Sequence, residues 1–202
     1  MKKSEITKGR KKQKLQTRME ILDAARALMQ QKKKISLEDV AEKANISRAT
    51  MYRYFSNLDL LFAEATLDIH HMSPDQIFEE VQDLSFEDRI FYIQKHYNAL
   101  AQENETAFRR YLSAMLSESI VTGEPTRGAR RVKALKKCLE PYKEQLTPEA
   151  FQKLIHTASI LSGIDSLIIC KDVCHLNNEE SEETLQWALE MILKGIAADK
   201  VT

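Results

Sequence analysis

The chain has 202 residues, 43% of them apolar, with only 5 Gly, 4 Pro and 3 Cys. It is long enough to bury a sizeable core, too poor in turn-forming residues for a sheet protein and too poor in cysteine for a disulfide framework, so an all-α fold with reduced thiols is expected. The formal charge is zero, but residues 1–58 hold 15 Lys/Arg against 6 Asp/Glu and residues 59–202 hold 15 against 24, so a +9 head with a polyanionic partner is joined to a −9 body that would repel the same partner.

In chain order, residues 1–14 are rich in Lys and Gln and are expected to form a basic flexible arm. This N-terminus has charge but no following apolar run, and no later segment reaches the length of a membrane span, so a cytoplasmic protein with no membrane partner is expected. Four stretches have the capping-box pattern that opens a helix, beginning at Thr17, Ser36, Ser56 and Ser85 and ending three residues later on an acid. Ser73-Pro74 and Thr147-Pro148 add two starts with Pro in the first turn, where a missing N–H costs nothing.

Helix 1 is predicted over 17–32, with Ile21, Leu22, Ala25, Leu28 and Met29 as its apolar stripe. Helix 2 covers 37–44 and buries Leu37, Val40, Ala41 and Ala44; Asn45 then tolerates the left-handed conformation that ends a helix. Helix 3 opens after Ser47, with Ile46 and Met51 as a hydrophobic staple, and ends near Tyr54; helix 4 follows Ser56 and runs to about residue 72. Helices over 86–103, 106–121, 131–145, 148–174 and 180–198 complete the chain, with one loop between Gly123 and Gly128. The implied division is a head over 15–73, with a helix-turn-helix at 36–55, and a helical body over 74–202.

Helix 3 differs from its neighbours. Residue N3 is the neutral Thr50, and no acid occurs from Asn45 to Leu58. A carboxylate at a helix tip aimed at DNA would repel phosphates, whereas Ser47 and Thr50 can donate to them beside the free amides. Arg48 and Arg53 suit guanine edges or phosphates, Ala49 permits close approach, and Tyr52 and Tyr54 present phenols to the flanking backbone. The same residues would also suit an ordinary solvated face; the basic head favours DNA.

Residues 17–62 resemble the DNA-binding domain of the TetR family of bacterial transcriptional regulators, through Thr17, Ile21, Leu22, Ala24 and Ala25, then Val40, Ala41 and Ala44, then Ile46, Ser47, Thr50, Met51 and Tyr52, then Tyr54, Phe55, Asp59 and Leu61. The resemblance implies DNA contacts at Arg48, Ala49, Thr50, Tyr52, Arg53 and Tyr54. Three positions depart from the family pattern: Lys32-Lys33-Lys34 and Asn45 stand where glycines are usual, and Leu58 replaces a phosphate-binding lysine. The lysine cluster, or an arm over Lys8 to Lys14, would supply the lost charge.

The helices over 148–174 and 180–198 are apolar on more than one side, as for elements that pack on their own domain and on a partner. The resemblance implies a homodimer through these two helices, a palindromic operator in double-stranded DNA, and a small-molecule effector in the body. Candidate lining residues are Phe91, Tyr92, His96 and Tyr97 on one helix and Phe108, Tyr111 and Met115 on the next; core packing is the alternative for most of them. Asp165 lies on an apolar face and needs a ligand amine, an arginine or a helix cap as partner. Cys170, Cys174 and His175 have spacing for a metal or a thiol sensor but lack further local ligands, and His70-His71 is weaker still, so no metal and no cofactor are assigned. No Gly-rich phosphate loop, HExxH motif or nucleophile–base pair points to an enzyme. The expected function is that of a DNA-binding transcriptional regulator, a repressor released by a small-molecule ligand; the rival is a helical interaction protein whose basic head docks on an anionic membrane or a protein.

Overall fold

A computed structural model describes residues 2–29, 35–69, 72–123 and 128–199, and among these residues the chain forms helices and no strand. It divides into two compact units, Met1–His70 with Thr106–Thr126 and His71–Glu105 with Arg127–Thr202.

The first unit, the head, contains α1 (Lys2–Met29), α2 (Leu37–Lys43), α3 (Arg48–Tyr54) and α4 (Leu58–Ile69). Helix α1 is longer than expected: residues 2–14 are helical rather than an irregular arm, and Thr17 lies inside the helix instead of opening it. Lys, Gln, Glu, Arg and Leu are strong helix formers and no Pro interrupts this stretch, so the helix that must start somewhere before Ile21 extends upstream. At α2 the expected box forms: Asp39 N donates to Ser36 Oγ at 3.2 Å and Ser36 N donates to Asp39 Oδ2 at 2.8 Å. Asn45 has φ +53, and Asn45 N and Ile46 N donate to Glu42 O and Ala41 O at 3.0 Å each, which closes the helix and makes the turn.

Helix α4 is capped one residue later than expected. Asn57 Oδ1 accepts from Leu60 N at 2.8 Å, which leaves the Ser56 hydroxyl to donate to Glu118 Oε2 at 2.9 Å. Glu118 belongs to α7 (Glu105–Thr122), which follows α5 (Pro74–Val81) and α6 (Phe86–Glu103) in the chain. The expected boundary at 73/74 places this helix in the body, but it packs with the head, because Met115 is buried in the core formed by Ile21, Val40, Met51, Phe55 and Leu61.

The second unit, the body, contains α5, α6, α8 (Arg130–Leu139), a 3-10 turn at Glu140–Gln145, α9 (Pro148–Ile160), α10 (Ile164–Ile168), a π-helical turn at Ile169–Val173 and α11 (Asn178–Asp199). Two expected helices are interrupted. The one over 131–145 changes to 3-10 geometry at Pro141, which cannot donate to the preceding turn. The one over 148–174 breaks at Leu161 to Gly163, and its two segments meet at 52°.

Gly163 causes the break, with φ +82 and ψ −160, a region that only glycine enters freely. The groups freed there are taken up by side chains: Gly163 N donates to Asn98 Oδ1 at 2.6 Å, and Gln94 Nε2 donates to Leu161 O at 3.1 Å. Arg131 lies over Gly163, donates to Ser162 O and reaches Asp165 Oδ2 at 2.7 Å. Elsewhere in the body, the buried Arg89 donates to three backbone carbonyls, Gln82 O, Leu84 O and Cys138 O, near the C-terminal ends of α5 and α8, and lies near the Phe78 and Tyr142 rings. Among the described residues no single helix is long and apolar enough to cross a membrane.

A Gly163→Ala chain should be less stable by about 2–3 kcal/mol, because alanine is strained at this backbone conformation and its Cβ would lie 3.2 Å from Arg131 Nη1. The check is the urea midpoint; one equal to wild type would show that the break does not depend on glycine.

Candidate nucleic-acid interface

Helix α3 is seven residues long and is built from both ends. At its start Thr50 N donates to Ser47 Oγ at 3.1 Å and the Ser47 hydroxyl donates to Thr50 Oγ1 at 2.9 Å, with no acid in the first turn. Its inner side is Met51, followed by Phe55 at the C-cap, both 0% exposed. On the outer side Ser47, Arg48, Ala49, Tyr52 and Arg53 are exposed, while Thr50 and Tyr54 are half-buried at its edge. The seven residues singled out in the sequence therefore share one short element. The Arg53 guanidinium stands 5.7 Å from the Tyr54 ring centroid.

Two further residues shape this surface and were not singled out. Glu38, in the first turn of α2, brings a carboxylate to the outer side of α3: its Oε1 accepts from Arg48 Nη2 at 2.5 Å and from the Tyr52 hydroxyl at 3.1 Å. The Arg48 hydrogen bond, then Glu38's own backbone amide and Tyr52, hold this carboxyl below the usual carboxylate range, and the same carboxylate raises the Tyr52 phenol. The stripe Leu37, Val40, Ala41 leaves Glu38 on the flank of α2, but only the angle between the two helices carries it to α3.

The second is Arg18 of α1. Its Nε donates to Glu64 Oε1 of α4 at 2.7 Å, its Nη1 donates to Tyr54 O at 3.4 Å, and its guanidinium lies 4.5 Å from the Phe55 ring centroid. One cation thus joins α1, the end of α3 and α4. Leu58, which stands where a phosphate-binding lysine is expected, is half-buried and packs on the head core. Lys32-Lys33-Lys34 and His70-His71 lie outside the described residues, as does most of the loop between Gly123 and Gly128.

The eight candidate effector residues are divided. Phe91 and Tyr92 line a cavity of about 240 Å³ with Lys95 and Asn98 of α6 and Glu182 and Gln186 of α11. His96 stacks parallel to Tyr92 at 6.5 Å and edge-on to Tyr97 at 5.2 Å. Tyr97 is in the body core, where burial pushes its phenol up to about 12. Phe108, Tyr111 and Met115 are on α7 in the head unit, with Tyr111 and Met115 packed in its core. Asp165 has its partner in Arg131. Of the thiols, burial raises Cys138 to about 11 and raises Cys170, while Cys174 is exposed; among the described residues no group of three or more His, Cys, Asp or Glu is placed to hold a metal.

Residues 21–65 match the family model of the bacterial regulatory proteins, tetR family. No curated protein and no solved structure matches the chain. The matched span runs from the first core residue of α1 into α4 and contains the whole helix-turn-helix with its cap, turn and anchors. Over these residues the head is therefore similar to the N-terminal DNA-binding domain of the tetR family of regulatory proteins.

His96 yields a pH prediction for the body. Burial lowers its pKa, opposed by the charge of Glu103, and its Nε2 is buried with no hydrogen-bond partner among the described residues. The unfolded imidazole takes up its proton near pH 6.5, so below that pH the unfolded chain binds more protons and stability falls as pH drops. His96→Phe should flatten this fall. Urea midpoints at pH 7 and pH 5.5 measure it, and equal slopes for both chains would exclude His96 as the source.

Proposed function

We propose that the protein is a homodimeric repressor that binds a palindromic operator through α3 and is released by a small molecule held in the body. The observation that carries the reading is the outer side of α3: within a matched DNA-binding domain, its Ser, Arg, Ala and Tyr side chains are exposed while Met51 and Phe55 anchor it from behind. Arg48 and Arg53 supply charge for base edges or phosphates, Ser47 and Thr50 supply hydroxyls at the helix tip, and Tyr52 and Tyr54 border them. Ala49 allows the helix to approach the groove floor.

Dimerisation is supported by the large apolar side chains left exposed in the second half of the body. Ile160, Ile169, Val173, Trp187 and Met191 are 38–69% exposed, all between α9 and α11. Apolar side chains in such numbers over two consecutive stretches suit a partner surface, and a two-fold dimer presents two reading helices to two half-sites. The cavity beside Phe91 and Tyr92 supports an effector of modest size, since 240 Å³ is below the range of drug-sized pockets.

Two measurements test the reading. A duplex enriched by the full chain from a random pool should bind at least a hundredfold tighter than a scrambled duplex at the same salt, and Tyr52→Ala should reduce this affinity about tenfold without loss of helical content. No enrichment by the wild-type chain would instead leave a basic head suited to a membrane or protein partner. Trp187→Glu should give a monomer by analytical ultracentrifugation, with operator binding lost; a dimer of undiminished stability would move the interface elsewhere.

A further inference from the structure

The geometry points to Glu38 as a specificity-determining residue of the reading surface, one that holds Arg48 and Tyr52 off DNA until a correct base sequence replaces its own hydrogen bonds. The inference rests on the DNA-reading role proposed for α3. It starts from a single oxygen, Glu38 Oε1, that accepts from two side chains one helical turn apart on the outer side of α3.

Three features separate this cluster from an incidental surface contact. The carboxylate comes from α2, whose first turn is fixed by the Ser36–Asp39 capping box, so the backbone that carries it is held beside α3 independently of its partners. Both partners are residues assigned to DNA, whereas an incidental ion pair has no reason to select them. Finally, the Arg48 side chain is 73% exposed, and pairs so wet contribute little to stability. The bonds are therefore easily exchanged, as a recognition contact requires, and have little value as a structural brace.

Against an arbitrary duplex the cluster is unfavourable. A phosphate that draws Arg48 away leaves the Glu38 carboxylate unpaired and facing a polyanion. Against a correct site the exchange is complete: base-edge or backbone acceptors take Arg48 and Tyr52, and a donor such as the exocyclic amine of cytosine takes the carboxylate. Glu38 thus discriminates mainly by penalising wrong sequences. Arg48 and Tyr52 supply the attraction; Glu38 decides where it can be used.

The test uses the full chain, a duplex enriched from a random pool by the wild-type protein, and a scrambled duplex of the same length. Glu38→Gln keeps the shape and an acceptor oxygen but removes the charge. It should bind the scrambled duplex roughly tenfold tighter while binding the enriched duplex no better, so that the specificity ratio falls about tenfold; a repeated selection with the variant should show relaxed preference at one position in each half-site. Affinities for both duplexes raised by the same factor would overturn the inference, since Glu38 would then be a general surface charge. An unchanged ratio with a lowered thermal midpoint would overturn it too, as a structural role. If the wild-type chain enriches no sequence, the DNA-reading role fails first and Glu38 with it; if it enriches one and Glu38→Gln keeps the ratio, only Glu38 fails.

Discussion

A helix of seven residues does not hold together by itself in water, and α3 has seven. The head is organised around that constraint. Ser47 satisfies the start of the helix, Met51 and Phe55 sink its inner side into the core, and Arg18 takes up the Tyr54 carbonyl at its end while covering the Phe55 ring. Because Arg18 also pairs with Glu64, α1, α3 and α4 are fixed around one cation. Apart from Ser47 and Thr50 at the cap, these anchors use none of the outward side chains, so Arg48, Ala49, Tyr52 and Arg53 are left on the exposed side of α3.

Helix α7 extends the same arrangement. Met115 fills the head core from a helix far downstream, and Glu118 receives the Ser56 hydroxyl at the entry to α4. The recognition domain is thus not confined to one continuous stretch of chain. Its matched part ends at residue 65, and part of its packing comes from some fifty residues later.

The body relies on buried polar groups at helix ends. Arg89 gathers three carbonyls near two aromatic rings, and Asn98, Gln94 and Arg131 satisfy the groups exposed where Gly163 interrupts the expected long helix. Each is a donor or acceptor placed against backbone that would otherwise be unpaired, a large penalty in a dry interior. The interruption also decides which apolar residues remain outside: Ile164 and Leu167 are buried after the bend, while Ile169 and Val173 are not.

What the sequence determined by itself was local. Capping hydroxyls, Pro at helix starts, the apolar stripe of α2 and the left-handed Asn45 depend on neighbours within four residues, and the helix-turn-helix and the outward side of its second helix were legible for that reason. The N-terminal helix and the Asn57 cap were misjudged where two local signals competed. The charge map was legible only coarsely, because net charge along the chain does not show that Glu38 of α2 reaches Arg48 and Tyr52 of α3. Tertiary structure alone decided the Arg18–Glu64 pair, the place of α7 in the head, the Arg131–Asp165 pair and the division of the aromatic candidates between two units. The physical reason is common to all four: each depends on groups that are distant along the chain and meet only once the helices have packed.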